Sequence, residues 1–296
     1  MVSNQYWEKR SKSWSDNKIK DDEEFARLLS QKYNSLELEI NREINEFYVR
    51  YAKKEGLTLD QARKKVSEFD VKSFQNQAKQ MVKDKDFSDY ANERLRLYNA
   101  TLRINRLEAL KARIGLDIIK TNSEIEELLK QHLSEDLYKE AKENAGILGV
   151  DITKSQSLKI NTLLNGSYQN TTFSERLWMN NDALKAELDK MLSRGMIQGE
   201  RWDKSISKIK KQLNSSVKNA NYAADRLART ESARMASEYK IDLIKSQGYK
   251  NVKWLCERGA CSICKPYDNK IFKIKEVPDL PVHPNCRCHF IGITID

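Results

Sequence analysis

All five cysteines, all four prolines and two of the three histidines of this 296-residue chain lie between Cys256 and its last residue. Upstream there is no proline before Pro266, and the whole chain has only ten glycines. Proline removes a backbone donor and clashes with the preceding turn, and glycine costs a helix interior about 1 kcal/mol relative to alanine. A chain that avoids both has few places where a helix must stop. The first 255 residues are therefore free to run as long helices, and the sulfur-rich remainder has to be something else.

Composition agrees with that division. A hydrophobic fraction of 39% against 32% charged residues suits long solvated helices better than a compact globular enzyme. The length allows one large domain or two ordinary ones. No apolar run approaches the roughly 18–20 residues that span a bilayer, and the first residues (MVSNQYWEKRSKSW) lack a signal peptide's apolar core. A soluble protein with no membrane anchor, made in a cytoplasm, is expected. Charge is uneven: residues 1–200 carry 34 Lys+Arg against 33 Asp+Glu, whereas residues 201–296 carry 19 against 10. The last third can attract polyanions, double-stranded DNA foremost, although basic residues also simply solvate helix faces.

Apolar periodicity predicts successive helices. Asp21–Glu24 places acidic residues at a helix start, and Leu28, Leu29, Leu36, Ile40, Ile44, Phe47 and Tyr51 follow at three- and four-residue steps toward Gly56. Thr58 or Asp60 can cap a second helix to about Val82, with Ala62, Val66, Phe69 and Phe74 inward. Ser88 opens a third, marked by Leu95, Leu102, Leu107, Leu110, Ile114 and Ile118, running to Lys120. Ser123 caps a fourth to Asn144, with Gly146 and Gly149 beyond it. Residues 150–175 read as a connection or irregular arm. Helical stretches follow at 180–194, 203–214 and 217–246, broken by Gly195 and Gly199. Val252–Leu255, Lys270–Ile274 and residues 290–295 are short β-like runs. The predicted fold is mainly α: an elongated helical region over 1–150, then a helical domain over 151–296 ending in a small Cys/His-rich β segment.

Within that segment Cys261-x2-Cys264 is spaced as a zinc knuckle, His283-x2-Cys286 repeats the spacing, and Cys288 lies two residues on, on the same side of an extended chain. Two close pairs about twenty residues apart are how a chain wraps one tetrahedral ion. The candidate ligands are Cys261, Cys264 and Cys286 with either Cys288 or His283, and Cys256 and His289 stand in reserve. Disulfides or unliganded thiols remain the competing readings. In each case the role is structural, because so small a β segment needs a staple.

Catalysis is not expected. A zinc deaminase needs His-x-Glu or Cys-x-Glu followed by Pro-Cys-x-x-Cys. Here Arg258 follows Cys256 by two, and Pro284 precedes Asn285. No phosphate loop, Gly-x-Gly-x-x-Gly or Gly-x-Ser-x-Gly is present. His132 sits on a predicted helix far from other ligand types. Two alternatives stay open beside a structural role: a zinc-stapled nucleic-acid-binding protein, and an enzyme using Cys286 or Cys288 with His283.

Several separated strings share one order. Arg226-Leu-Ala-Arg229-Thr-Glu231-Ser-Ala-Arg234, then Trp254, the Cys261/Cys264 pair with Asp268, and His283-Pro-Asn-Cys-Arg-Cys288 resemble the C-terminal domain of phage minor head proteins, the head-morphogenesis family that includes the Mu F-like proteins. Phe173–Trp178 and the Gly195…Gly199 region resemble that domain too, so the likeness spans about residues 165–292. It implies a minor capsid protein of a tailed bacteriophage. Such a protein is assembled in the bacterial cytoplasm and resides in the virion near the portal vertex. It meets the portal protein and other capsid or scaffolding proteins, takes part in packaging or delivery of DNA, and has no small-molecule substrate. Arg229, Glu231, Trp254 and Asp268 take structural roles in that reading. Arg229 and Glu231, two apart on a helix, point apart, so each is expected to reach another segment, with Glu231 or Arg229 tying the helix to the Cys knot.

Overall fold

The computed structural model describes residues 4–47, 49, 68–84, 88–101, 106–148, 154–167, 171–197, 202–257 and 259–293. It is mainly α, as expected: α1 Asn4–Phe47, α2 Glu68–Asp84, α3 Asp89–Thr101, α4 Arg106–Leu148, α5 Lys154–Asn165, α6 Phe173–Ile197 and α7 Trp202–Ser246, then strands β1 Asn251–Leu255, β2 Ile271–Lys273 and β3 His289–Ile293. Tyr51, Gly56, Thr58, Asp60, Ala62, Val66, Leu102, Gly149 and Gly199 lie outside the described residues.

Several helix boundaries differ from those the local signals indicate. Asp21–Glu24 lies inside α1, not at its start. No helix breaker precedes it, and a favourable dipole contact is worth only about 0.3–1 kcal/mol. Asp21 and Asp22 take tertiary partners instead, Lys139 at 2.9 Å and Arg287 at 2.8 Å. Likewise α4 runs through Lys120 and Ser123 without interruption. Ser123 Oγ makes no capping bond, and its neighbours Thr121 and Asn122 are buried, so packing outweighs a cap worth about 1 kcal/mol. The Ser- and Asn-rich stretch expected as an irregular arm contains α5, which buries Ile160 and Leu164 one turn apart. Gly195 does not end α6, and α7 is one helix where two were expected, burying Leu213, Ser216, Val217 and Ala220 across the expected gap.

Contacts group the chain into two compact units. One, the middle unit, comprises Leu28–Glu127 and Ser174–Ala224; the other, the knot unit, comprises Met1–Arg27, Leu128–Phe173 and Asp225–Asp296. In the middle unit Leu29, Tyr33, Leu36, Ile40, Ile44 and Phe47 form the buried stripe of α1. Phe74, Leu95, Tyr98, Leu116, Ile119 and Trp178 belong to one apolar cluster. Tyr98 lies so close to α4 that a Cβ on Gly115 would stand 2.3 Å from its ring. Trp178 donates Nε1–H to Glu126 at 2.9 Å, and the Arg94 guanidinium lies 4.8 Å above its ring.

In the knot unit β1 is the centre of an antiparallel sheet of order β2-β1-β3, with Val252 opposite Phe272 and Trp254 opposite Phe290. Trp254 is fully buried, stacked on Tyr267 at 4.9 Å and edge-on to Phe290 at 5.2 Å. The same cluster contains Cys264, Leu280, Cys286 and Cys288. Aromatic packing and sulfur therefore share one small core, which positions the site.

Candidate metal centre

Two turns carry the candidate ligands. The first lies between β1 and β2, where Lys265 N–H bonds Cys261 O at 2.9 Å and a 3₁₀ turn over Lys265–Tyr267, entered through Pro266, follows Cys264. The second precedes β3, where Cys286 N–H bonds His283 O at 3.2 Å and Asn285 adopts φ 65°, a left-handed conformation that asparagine tolerates. Both turns present their ends to the buried face of β1.

The side chains converge. His283 Nε2 lies 3.1 Å from Cys261 Sγ and 3.0 Å from Cys264 Sγ, and Cys264 Sγ lies 3.7 Å from Cys286 Sγ. Tetrahedral zinc with bonds of about 2.3 Å to sulfur and 2.0–2.1 Å to nitrogen separates two sulfurs by about 3.8 Å and sulfur from nitrogen by about 3.6 Å. The sulfur pair already has that spacing, and the imidazole stands about half an ångström inside it. His283 Nδ1 faces Pro284 O at 2.8 Å. That contact makes Nδ1 the donor and aims the Nε2 lone pair at the thiols, the outer-shell arrangement of metal-binding histidines. Cys261, Cys264 and His283 are thus a group that could hold a metal, with the Cys286 sulfur beside Cys264. Cys288 forms a second close group with Cys264 and Cys286.

The thiols of this centre lie in differing environments. Burial and the neighbouring Cys286 sulfur push the Cys264 thiol up to about 12, while the Cys288 contact and burial raise that of Cys286. At the exposed end, backbone N–H groups around Cys264 lower the Cys261 thiol, and the Pro284 carbonyl raises the His283 imidazole. An ion binding here must displace protons from two buried thiols, so its affinity rises with pH.

The remaining candidates frame this centre. Cys256 donates N–H to Asp268 Oδ1 at 2.9 Å and places its sulfur 3.2 Å from Cys264 O, so Asp268 braces the first turn. His289 points away from the sulfurs into a cavity walled by Trp14, Lys18, Asp22, Glu140, Lys240 and Arg287. Burial and Lys240 lower its imidazole to about 3. Arg229 pairs with Asp225 at 3.0 Å on its own helix, and Glu231 pairs with Arg234 at 2.9 Å, both nearly fully buried. A contact from this helix to the second turn comes from the residue between them: Asn285 N–H donates to Thr230 Oγ1 at 3.2 Å. Arg287, between two cysteines, reaches Asp22 at 2.8 Å. Neither Thr230 nor Arg287 stood out in the sequence, although both lie inside motif strings quoted above.

Residues 186–291 match the family model described as Phage Mu protein F like protein. No curated protein and no solved structure matches the chain. The matched stretch contains the Arg226–Arg234 string, Trp254, both ligand-bearing turns and most of β3, and Phe173–Trp178 falls before it. Over residues 186–291 the chain is thus similar to the Phage Mu F-like family, a likeness that supports a protein related to the bacteriophage head.

Proposed function

We propose that this protein is a minor head protein of a tailed bacteriophage that acts by binding rather than catalysis, meeting the portal protein and other capsid or scaffolding components during head assembly. It resides in the virion, near the portal vertex. The observation that supports this is the convergence of Cys261, Cys264, His283 and Cys286 from two turns inside the Mu F-like stretch. One structural zinc ion held by these four residues would fix the two turns against β1 and so set the shape of the surface that partners meet. The excess of basic residues over 201–296 makes that part the DNA-facing one.

Co-expression with the portal protein of the same phage, followed by nuclease treatment and size-exclusion chromatography, tests this reading. Co-elution that survives nuclease and is lost in Cys264→Ser is expected. Separate elution under all conditions would overturn the portal assignment.

One observation favours a second reading. Cys261 is exposed, its thiol is lowered and it touches His283, the pattern of an activated nucleophile. Yet the same Nε2 is equally close to the buried Cys264, which suits ligation. Slow alkylation of Cys261 by iodoacetamide in the zinc-loaded protein is expected; rapid, single-site alkylation there would revive the enzyme reading.

A further inference from the structure

The start of α1 is held differently from the rest of that helix. Between Lys9 and Glu24 the buried side chains are Ser11 and Asp22, both polar; from Lys9 onward, buried apolar residues begin at Phe25. Polar contacts to α4 secure this stretch instead: Arg10 to Glu143 at 2.7 Å, Trp14 Nε1–H to Glu140 at 2.8 Å, Lys18 to Asp136 at 3.8 Å and Lys139 to Asp21 at 2.9 Å. Each of these partners has some exposure or a second counter-charge. Asp22 is buried as well, at 5% exposure.

Its ionic hydrogen bond comes from the Cys/His knot. Arg287 Nη2 lies 2.8 Å from Asp22 Oδ2, while His132 Nε2 stands 3.6 Å from Oδ1, beyond hydrogen-bonding distance. Arg287 is flanked by Cys286 and Cys288, whose sulfurs turn into the buried cluster. Neighbours on an extended chain point to opposite faces, so holding those sulfurs aims the guanidinium at the cavity. Asn285 N–H, bonded to Thr230 Oγ1, pins the same turn to α7. The cations on the cavity wall have carboxylate partners: Lys18 and Lys240 with Glu140, Arg229 with Asp225, Arg287 with Asp22. The cavity is thus a closed charge network and not an anion site.

We infer that residues 9–24 of α1 form a conditional arm, latched by the Cys/His knot through Arg287 on Asp22, so that opening the knot releases the arm. Withdrawing Arg287 removes the one cation hydrogen-bonded to the buried Asp22 carboxylate among the described residues, leaving only the longer-range Lys18 and His132, and residues 9–24 have no buried apolar side chain to keep them docked. The latch rests on the proposed ion only for its trigger; the Arg287–Asp22 contact stands without it.

Hydrogen exchange on the full chain tests the latch. In Arg287→Met, amides of residues 9–24 should exchange about a hundredfold faster or more, while β1 and β3 keep their protection and the metal content is unchanged. In the parent, chelation should open the β1 and β3 amides and speed the arm together; in Asp22→Asn, where no buried charge awaits a partner, chelation should speed the arm less than about threefold. Unaltered arm exchange in Arg287→Met with an intact knot would overturn the latch. So would equal acceleration by chelator in the parent and in Asp22→Asn. Should chelation leave the knot closed, the metal reading fails, and Arg287→Met, or Asp22→Asn restoring protection in the Arg287→Met background, still decides the latch.

Discussion

The two compact units are both largely helical but are held together by different physics. The middle unit follows the ordinary rule for amphipathic helices, with an apolar stripe on α1 and an aromatic-aliphatic cluster around Trp178 and Tyr98. The knot unit buries charge: Asp22, Asp136, Glu140, Glu231 and Arg234 are each at most 5% exposed, and sulfur occupies the core of its sheet. Burial of apolar surface is non-directional and tolerant of small shifts. Buried ion pairs and ligand clusters are neither, since removing one partner leaves an uncompensated charge. The middle unit should therefore degrade gradually under perturbation and the knot unit abruptly.

Metal removal is the largest test of this contrast. Structural zinc contributes about 10–16 kcal/mol in small zinc-dependent folds, so chelation or Cys286→Ser should abolish the protection of β1 and β3 while leaving the Trp178 cluster intact by near-ultraviolet circular dichroism and hydrogen exchange. Loss of both units together would erase the distinction. Next comes Trp178→Ala, which removes a fully packed indole and the donor to Glu126. A cost of about 3–5 kcal/mol, read from the denaturant midpoint of the middle unit alone, is expected.

Acid should act on the two units in opposite senses. Burial alone would raise Glu140, but Lys240 and Lys18 outweigh it and hold the carboxyl at about 2, against an ordinary value near 4.5. Its folded value is depressed, so its stabilisation is present above pH 4.5 and is lost as pH falls toward 2, about 3 kcal/mol in all. Asp117 in the middle unit is pushed by burial and by Glu43 up to about 7. Its folded value is raised, so it favours that unit below its unfolded value near 3.8 and loses the advantage as pH rises through 7. Unit-resolved exchange between pH 7 and 3 should show middle-unit protection rising before knot-unit protection falls. The smallest effect belongs to Thr230→Val, which removes the acceptor of Asn285 N–H. About 1–3 kcal/mol, confined to the second turn, is expected from thermal melts of the metal-loaded protein.

The sequence carried the class of structure but not its boundaries, and the reason lies in the sizes of the competing terms. Helix was legible because proline is missing and apolar residues recur at helical spacing over tens of residues. The β runs were legible because alternation and proline punctuation change together near Lys250. Caps and acidic starts misled because each is worth about 1 kcal/mol, whereas Asp22 is taken by Arg287 from a distant segment and the residues before Ser123 are buried. Cysteine spacing limited the ligands to a few sets. That His283 and Cys288 both come close to Cys264, in separate groups, needed the fold, since the turn at Asn285 brings Nε2 to 3.0 Å from Cys264.

The order in which the knot unit's segments leave the ribosome has a consequence for the newborn chain. Asp22 is made early, and its cation, Arg287, arrives about 265 residues later, roughly 13–53 s at synthesis rates of about 5–20 residues per second. The middle unit has all its segments by Ala224 and is free to close sooner. For that interval the head of α1 is a charged helix without its clasp, available to whatever chaperone or assembly partner is at hand.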